Sequence, residues 1–355
     1  MTSTPQDAML DILIEDLDQA EALYKPTQFW RAALNRLTQE LRGNGLNRFR
    51  SLPGSLSFFV PTYSFPGYHN DSEIFSSLRK ALGNLQLGDI RCATHLERLL
   101  SGESQAESDY RVLLASDTPV APFFDQFSES SVAEPIEQFE FDGRRFSRSS
   151  LNYLLGLAFL KRHCDLSSIR NVLEIGGGFG TLGEILLNDS RNDFFYIDVD
   201  IPPTVHCAHH YLQNLYGSDA ILSYAKTRYL ESLNISGMAA KHKAAILPSW
   251  QLPRLHGKID LFVNFISFQE MEPNVVRNYL LEVDRLGADY VLLRNIREGK
   301  AKAVSPDSVG VIHPILGEMY DAFLGGYQLI ASNTIPFGYH TVDGFNSELR
   351  LYHRR

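Results

Sequence analysis

Apolar residues in the first part of the chain recur mainly at helical spacing. A helix is predicted to begin near Thr27, and loops rich in proline and aromatic residues separate it from other helical stretches. Near residues 137–147 the apolar residues alternate instead, and Asp142 with Gly143 suits the tight turn of a β-hairpin. The pattern therefore predicts a mainly helical N-terminal region over residues 1–148, with one hairpin near its end.

From residue 149 onwards, short apolar runs alternate with helical patterns. Such runs are typical of strands covered on both faces, and their alternation with helices favours a parallel sheet with right-handed crossovers. The last run is expected to be antiparallel, because only a loop separates it from the run before. A second domain is predicted over residues 149–355. Its seven predicted strands are Asn171–Ile175, Phe194–Val199, Lys243–Leu247, Ile259–Phe265, Asp289–Arg294, Tyr327–Ser332 and Glu348–Tyr352.

Composition and charge exclude several classes of protein. The 355 residues carry 33 Lys and Arg against 42 Asp and Glu, a formal net charge of −9. A net acidic surface disfavours binding to nucleic acid, because it repels phosphates. Cys92, Cys164 and Cys207 lie too far apart for a zinc site or a disulfide framework. No signal peptide is recognisable, and the longest apolar stretch, around Tyr153–Leu160, is too short to span a membrane, so a cytoplasmic protein is expected.

The strongest local signal is VLEIGGGFGTLG at Val172–Gly183. A predicted strand ends just before Gly176, glycines alternate at Gly176, Gly178 and Gly180, and a helix is predicted to follow directly. Glycine at these places lets the backbone turn tightly and lets a ligand approach the main chain closely. The segment is therefore the predicted cofactor-binding loop.

Two classes of cofactor use a loop of this kind. Read from Gly178 to Gly183, the segment fits GxGxxG, which binds the diphosphate of a dinucleotide such as NAD but leaves Glu174 without a role. Read from Glu174, the pattern places a carboxylate at the carboxyl end of the first strand. This arrangement suits S-adenosyl-L-methionine, because that cofactor carries an ammonium and a sulfonium and no phosphate. The methyl donor is the better fit.

Two further positions are predicted to contact the nucleoside part of the cofactor. A ribose with two free hydroxyls is best held by a carboxylate at the tip of the next strand, and Asp200 stands there, just before Pro202. Asp198 is then expected to point into or across the sheet. Trp250, at the tip of the third strand, is predicted to lie along the adenine, and a core tryptophan is the alternative.

Several segments resemble a family of sugar O-methyltransferases, a branch of the class I (Rossmann-like) S-adenosylmethionine-dependent methyltransferases. The resemblance implies a seven-stranded sheet of order 3-2-1-4-5-7-6, the methyl donor over the strand tips, and an acceptor hydroxyl in a pocket roofed by the N-terminal region. The segments are VLEIGGGFG at Val172–Gly180, DIPP at Asp200–Pro203, VNFISFQEM at Val263–Met271, Phe29 with Trp30, and GLNRF at Gly45–Phe49.

Transfer of a methyl group to a sugar hydroxyl requires alignment of the nucleophile and removal of its proton. Glu270 follows the fourth predicted strand and is a candidate base, with a charge on the first turn of the next helix as the alternative. His313 and His340 lie in loops that can reach the same edge of the sheet, and histidine is the commonest general base. No compact set of His, Asp and Glu has the spacing of metal ligands, so no metal is expected.

Two residues are predicted to contact the acceptor. Gln269 is expected to hydrogen-bond the acceptor or the donor, and Tyr63 belongs to an aromatic stretch that is suited to stack on sugar faces. A buried interface between domains is the alternative for that stretch. Residues 218–241 form an additional segment between the second and third strands, predicted to be helical, and serve either an oligomer contact or the acceptor pocket. A homo-oligomer is possible on this basis.

The sequence therefore predicts an S-adenosylmethionine-dependent O-methyltransferase of the EC 2.1.1 type. Its expected acceptor is a hydroxyl of a sugar or a glycosylated small molecule, methylated by in-line transfer with general-base help. The alternatives are a methyltransferase for a non-sugar small molecule or a peptide, an NAD-dependent oxidoreductase, and a donor-binding protein without catalytic activity.

Overall fold

The computed structural model describes residues 5–70, 72–83, 90–305, 308–341 and 343–355. Its helices are α1 (Pro5–Gln19), α2 (Gln28–Asn44), α3 (Pro53–Phe58), α4 (Glu73–Gly83), α5 (Ile90–Leu100), α6 (Glu103–Ser116), α7 (Arg148–Lys161), α8 (Thr181–Leu187), α9 (Thr204–Tyr216), α10 (Tyr224–Thr227), α11 (Ile235–Ala239), α12 (Pro273–Arg285) and α13 (Gly317–Phe323). Its strands are β1 (Phe139–Phe141), β2 (Arg144–Phe146), β3 (Asn171–Ile175), β4 (Phe195–Asp200), β5 (Ile221–Leu222), β6 (Leu233–Asn234), β7 (Ala244–Pro248), β8 (Leu255–His256), β9 (Leu261–Phe265), β10 (Tyr290–Ile296), β11 (Tyr327–Asn333), β12 (Tyr339–His340) and β13 (Asn346–Arg354).

The central sheet has the order β11-β13-β10-β9-β3-β4-β7-β5, with β12 paired to β13. The seven predicted strands correspond to β3, β4, β7, β9, β10, β11 and β13, so their order 3-2-1-4-5-7-6 is confirmed. Strand β13 is antiparallel to both β10 and β11, as predicted, and the pairs among β3, β4, β7, β9 and β10 are parallel. The two-residue strands β5 and β12, which the sequence did not predict, enlarge the sheet to nine strands.

The sheet is covered on both faces, which explains its continuous apolar runs. Every residue of β4, β7 and β9 is buried, and two hydrophobic clusters occupy the two sides of the sheet. The fold is therefore the predicted α/β class with a mostly parallel, Rossmann-like sheet of the class I methyltransferase type. In such sheets ligands bind at the carboxyl ends of the strands.

The N-terminal region packs mainly on one face of this sheet and shares its core. Phe29 and Phe49 belong to the same buried cluster as Val172 of β3. The hairpin of β1 and β2 forms over residues 139–146, with Asp142 and Gly143 both at positive φ in its turn. Because one hydrophobic core crosses residue 148, the two predicted domains are joined by packing as well as by the chain.

A buried ion pair joins the N-terminal region to α7. The side chain of Arg50 is 1% exposed and pairs with Glu129, which is 0% exposed. Glu129 also accepts hydrogen bonds from the backbone N–H of Ser147 (2.5 Å) and the hydroxyl of Ser150 (2.8 Å). Ser147 caps α7, so this network fixes where α7 begins.

The additional segment at residues 218–241 contains β5, α10, β6 and α11, so it is only partly helical. It is attached to the first helix of the chain, since Asp16 of α1 accepts a hydrogen bond from the hydroxyl of Tyr224 (2.7 Å) and pairs with Arg228 (2.7 Å). The segment therefore connects the N-terminal helix to the edge of the sheet at β5. Within the described ranges, no helix has both the length and the apolar character needed to cross a membrane.

Removing Glu129 should destabilise the protein strongly. In Glu129→Ala the Arg50 cation stays buried without its carboxylate, which costs about 3–5 kcal/mol of the free energy of unfolding. The matched control is Arg111→Ala, because Arg111 pairs with Glu107 on α6 while its side chain is 73% exposed, and this change should cost at most about 1 kcal/mol. Urea denaturation measures both values. Equal losses in the two variants would contradict the assigned role of the buried pair.

Candidate active site

A cavity lies at the carboxyl ends of β3, β4 and β9, beneath the N-terminal region. Its floor is the glycine loop, defined here as Gly176–Gly180, of which Gly176 to Phe179 line the cavity. Its roof comes from the start of α2 and from residues 56–61. The roof is attached near the ends of β7 and β9. The hydroxyl of Ser249, after β7, donates to the backbone carbonyl of Tyr24 (2.6 Å). The hydroxyl of Thr27 donates to the backbone carbonyl of Glu270, after β9 (2.8 Å).

The glycine loop adopts a backbone that favours glycine at alternate positions. Gly176, Gly178 and Gly180 have φ values of 74°, 63° and 91°. A Cβ atom on Gly176 would lie 1.9 Å from the Ser267 hydroxyl oxygen, so no larger residue fits there. A Cβ atom on Gly178 would meet only the Phe59 carbonyl oxygen, at 3.7 Å. The main chain is therefore open to a ligand at Gly178 and closely packed at Gly176.

Three carboxylates surround this loop, and we call Glu174, Asp198 and Asp200 the carboxylate cluster. Asp200 lines the cavity at the tip of β4. Its two oxygens accept hydrogen bonds from the backbone N–H groups of Gly178 (2.9 Å) and Ile201 (2.7 Å). The residue predicted to hold a ribose is thus at the cavity, and its carboxylate is oriented by the glycine loop itself.

Glu174 lies beneath the glycine loop and does not line the cavity. It is fully buried, and its oxygens accept hydrogen bonds from the hydroxyls of Tyr153 (2.6 Å) and Tyr196 (2.5 Å). Its Oε2 atom lies 2.9 Å from the point where a Cβ atom on Gly177 would stand. Glu174 is therefore separated from the cavity by the loop above it and does not contact the cavity directly in this conformation.

Asp198 lies beside Glu174 and is also fully buried. Its Oδ1 accepts a hydrogen bond from the backbone N–H of Gly177 (3.3 Å), and its Oδ2 has no hydrogen-bond partner. From the sequence, this side chain is predicted to point into or across the sheet and has no assigned role. The structure places it under the glycine loop.

Burial without a cation raises the pKa of every member of the carboxylate cluster. Desolvation is the largest cause for all three groups: it raises the pKa of Glu174, and it raises the pKa of Asp200 to about 7. The pKa of Asp198 is raised well above its ordinary value, with Asp200 and Glu174 adding to the effect of burial. In the part of the chain that the structure describes, no lysine or arginine forms an ion pair with these groups. The cluster therefore favours protons or a bound cation.

The corner after β9 forms another wall of the cavity. Ile266 lines the cavity with a φ of 66°, an uncommon conformation for a β-branched residue. Its N–H donates to the carbonyl of Arg294 (2.6 Å), and the side-chain amide of Asn264 donates to the carbonyl of Ile175 (2.8 Å). These bonds hold Ser267 against Gly176, so the corner and the glycine loop are positioned together.

Glu270 lines the cavity on the side of the N-terminal region. Its carboxylate accepts hydrogen bonds from the ammonium group of Lys300 (2.6 Å) and the indole N–H of Trp30 (3.1 Å). Burial raises the pKa of Glu270 above its ordinary value, and Lys300 opposes this rise. Glu270 lies two residues before Glu272, which occupies the N-cap position of α12, so Glu270 is neither the N-cap residue nor part of the first turn of that helix.

The structure does not bring either candidate histidine to the cavity. His313 is an exposed loop residue, and His340 is an exposed residue of β12 whose Nδ1 lies 3.1 Å from the Asn346 side-chain oxygen. Strand β12 pairs with β13, which is separated from β3 by β10 and β9. This pairing holds His340 away from the carboxyl end of β3. The prediction that its loop reaches the cavity is therefore wrong.

Four other predicted site residues do not line the cavity either. Gln269 is buried, and its side-chain oxygen accepts from the N–H of Ile296 (2.9 Å), so it ties the corner to β10. Trp250 packs edge-to-face on Tyr224 and donates its indole N–H to that hydroxyl (3.3 Å). The additional segment at 218–241 thus packs against Trp250 through Tyr224. Neither the segment nor Trp250 lines the cavity.

Tyr63 and Gly180 complete this group. The hydroxyl of Tyr63 donates to Asp109 (2.5 Å), and the Arg148 guanidinium lies 5.6 Å from the centre of its ring. A Cβ atom on Gly180 would meet the Leu212 side chain at 3.1 Å, so this glycine serves the packing of α8 on α9. Both residues support the walls of the site from outside.

The cavity also contains residues that the sequence analysis missed. Tyr153 of α7 lines it and stacks in parallel on Phe265, with ring centres 4.9 Å apart. Trp30, quoted only as part of the family resemblance, contributes to the roof together with Phe58 and Phe59. Tyr153 lies in an apolar run that is typical of a buried helix. Its hydroxyl is the one polar side-chain group of the run Tyr153–Leu160, and this was the only sequence signal of a role at the site. Among the described residues, no group of three or more His, Cys, Asp and Glu is placed to hold a metal ion.

Comparison with known proteins gives distant structural similarities. No protein-family model and no curated protein matches the chain. The mitomycin 7-O-methyltransferase MmcR is 14% identical over 59% of this chain, with a TM-score of 0.37, and the match spans 58% of MmcR. The magnesium protoporphyrin IX methyltransferase of Synechocystis PCC 6803, with bound S-adenosylhomocysteine, is 13% identical, with a TM-score of 0.40 over 59% of this chain and 84% of that enzyme. The O-methyltransferase NcsB1 from neocarzinostatin biosynthesis is 13% identical over 58% of this chain and 56% of its own, with a TM-score of 0.37.

The carboxylate cluster should make the unliganded protein less stable as the pH rises. Asp200 has a folded-state pKa of about 7 against an ordinary value of 3.8, so between these values the folded state binds more protons than the unfolded state. The free energy of unfolding should therefore fall as the pH rises from about 4 to about 7, and Asp200→Asn should reduce this fall by on the order of 2 kcal/mol. Urea denaturation across this range tests the effect, with the exposed Glu140→Gln as control. A fall of the same size in wild type and Asp200→Asn would show that burial at the cavity does not destabilise the ionised Asp200.

Proposed function

We propose that this protein is an S-adenosylmethionine-dependent methyltransferase that methylates a hydroxyl of a small molecule, with a sugar as the acceptor. One observation carries the proposal: the glycine loop presents carboxylates, and no cation, to the ligand. A cofactor that binds there must be cationic near the loop and able to donate hydrogen bonds to Asp200. The amino-acid nucleoside fits both requirements, because it carries an ammonium and a ribose with two hydroxyls.

The same observation disfavours a dinucleotide. A diphosphate is bound by free N–H groups of a glycine-rich turn. Here the N–H groups of Gly177 and Gly178 already donate to Asp198 and Asp200, and three buried carboxylates would repel the phosphates. The GxGxxG interpretation therefore lacks the donors that its chemistry requires.

The acceptor side of the cavity suits a molecule with apolar faces and hydroxyl edges. Trp30, Phe58 and Tyr153 supply aromatic faces, and the C–H faces of a sugar pack on such rings. Ser149 and Ser267 supply hydroxyls that can hydrogen-bond the edges of the acceptor. This lining supports a sugar, and a flat non-sugar phenol shares part of the same chemistry, so the experiments below include both.

When bound, S-adenosylmethionine supplies a methyl group activated by a positively charged sulfur. The protein then has to align the acceptor oxygen with that methyl carbon and remove its proton. Glu270 is the proposed base. It and Asp200 are the acidic side chains that line the cavity among the described residues, and Asp200 is assigned to the ribose. Trp30 donates a hydrogen bond to Glu270 from the roof. The O–C bond forms as the C–S bond breaks, the electron pair of that bond stays on sulfur, and the hydroxyl proton passes to the Glu270 carboxylate.

Lys300 and Trp30 position this base. They occupy one lone pair on each oxygen of Glu270, and a carboxylate has further lone pairs with which to accept the acceptor hydroxyl. Because Lys300 comes from the loop after β10 and Trp30 from α2, the base is correctly oriented only when the roof is in place.

Binding of the cofactor is the first test. S-adenosylhomocysteine should bind measurably in a calorimeter, while NAD should bind at least about tenfold more weakly or not at all. Asp200→Ala should weaken binding of S-adenosylhomocysteine by roughly 10–100-fold, because a hydrogen-bonded charged partner is worth about 1.5–3 kcal/mol. His340→Ala is the control and should bind as the wild type does. Tighter binding of NAD would replace the proposal with the oxidoreductase alternative.

Turnover tests the acceptor and the base. With radiolabelled S-adenosylmethionine and a panel of sugars, nucleotide sugars and phenols, Glu270→Gln should lower kcat by about 10²–10⁴-fold while retaining donor binding. His313→Ala and His340→Ala should remain within about twofold of wild type. Transfer to phenols alone would keep the methyltransferase and reject the sugar. Donor binding without transfer to any panel member or to a metabolite extract would favour the non-catalytic alternative.

A further inference from the structure

Glu174 and Asp198 form a pair of adjacent buried carboxylates directly under the glycine loop. They are register partners on the parallel strands β3 and β4. Their oxygens converge on Gly177, since Asp198 Oδ1 and Glu174 Oε2 lie 2.5 Å and 2.9 Å from the point where a Cβ atom on that glycine would stand. Only glycine leaves room for both carboxylates, and a single peptide unit separates the pair from the cavity.

No cation neutralises this pair among the described residues that face it. From α7 the pair faces Tyr153, from β4 it faces Tyr196, and Asp200 follows on the same strand. Beyond Asp200 stand Glu270, Cys207 and Tyr279, and each of these groups is neutral or negative. Two neighbouring buried carboxylates cannot both ionise under such conditions, so they share a proton.

The hydrogen bonds show which member of the pair holds the proton. Both tyrosine hydroxyls donate to Glu174, and such bonds stabilise its ionised form. Asp198 receives one long bond from Gly177, and its Oδ2 has no partner. A proton on Oδ2 leaves Asp198 neutral and leaves Glu174 as the single charge of the pair.

We propose that the unliganded protein holds one proton on the Glu174–Asp198 pair, and that the ammonium group of the methyl donor expels this proton when it binds above Gly177. This inference rests on the proposed function. Glu174 and Asp198 are positioning residues, because neither lines the cavity and both act through the Gly177 peptide. The charges balance, since one positive charge arrives with the donor and one proton leaves to solvent. Release of the product after methyl transfer requires a proton to return to the pair.

Calorimetry measures this exchange directly. Binding of S-adenosylhomocysteine is titrated at about pH 6.5, where the α-amino group of the ligand stays protonated, in buffers that differ in ionisation enthalpy. The slope of observed enthalpy against ionisation enthalpy gives the number of protons released. 5′-Methylthioadenosine is the matched ligand, because it keeps the nucleoside, and with it any proton release from Asp200 beside the ribose, and lacks the amino-acid group. S-adenosylhomocysteine should release about one proton more than 5′-methylthioadenosine.

Two variants separate this pair from other buried carboxylates. Asp198→Asn keeps an oxygen that accepts from Gly177 and removes the titrating group, so the additional proton released with S-adenosylhomocysteine over 5′-methylthioadenosine should disappear. Glu184→Gln is the matched control, because Glu184 on α8 is also buried, accepts from Tyr211 (2.7 Å), and does not line the cavity. It should release as many protons as the wild type.

A second measurement covers the case in which Asp198→Asn fails to fold. In the wild type, the Kd for S-adenosylhomocysteine should fall by about tenfold for each unit of pH increase below about pH 6.5. Binding with no proton release and with a Kd independent of pH would overturn the inference and leave the proposed function intact. Equal release with 5′-methylthioadenosine, or equal release in a folded Asp198→Asn, would also overturn it. Failure of S-adenosylhomocysteine to bind at all would reject the proposed function itself.

Discussion

The constraint on which the site depends is the burial of Glu174, Asp198 and Asp200 with no cation paired to them among the residues that the structure describes. Moving an ionised carboxylate from water into a protein interior is costly unless a charge or a hydrogen bond compensates it. Here the compensation comes from backbone N–H groups of the glycine loop and from two tyrosine hydroxyls. The loop conformation, the strand register and the tyrosines on α7 and β4 are therefore parts of one arrangement.

The surrounding fold supplies the rigidity that this arrangement needs. Helix α7 provides Tyr153, and the network of Arg50 and Glu129 fixes the residue at which that helix begins. The corner after β9 holds Ser267 against Gly176, and the roof is attached to the tips of β7 and β9. Residues far apart in sequence thereby hold the glycine loop from three sides. Both the floor and the roof of the cavity share a continuous hydrophobic core.

The sequence was sufficient where the signal was local. The apolar runs predicted the strands, and the family resemblance implied their order. Asp200, Gly176 and Gly178 line the cavity, because a strand end and its turn are encoded by adjacent residues. Roles that depend on the path of a long loop were not predictable. His340 was expected at the cavity, yet pairing of β12 with β13 keeps it away. The contact of Trp30 with Glu270 joins residues 240 positions apart, and no local pattern indicates it.

Ile266 illustrates a conflict between folding and shape at the cavity wall. A left-handed backbone at a β-branched residue costs about 1–3 kcal/mol, and glycine at this position would relieve most of that cost. Glycine would also remove an apolar side chain from the cavity and free the backbone to rotate, so that Ser267 would lose its fixed place against Gly176. At this corner, a residue with less backbone strain would give a less precisely positioned cavity wall. Variants selected only for heat resistance are therefore expected to acquire residues here that tolerate the left-handed region, with a less well-defined cavity wall as the result.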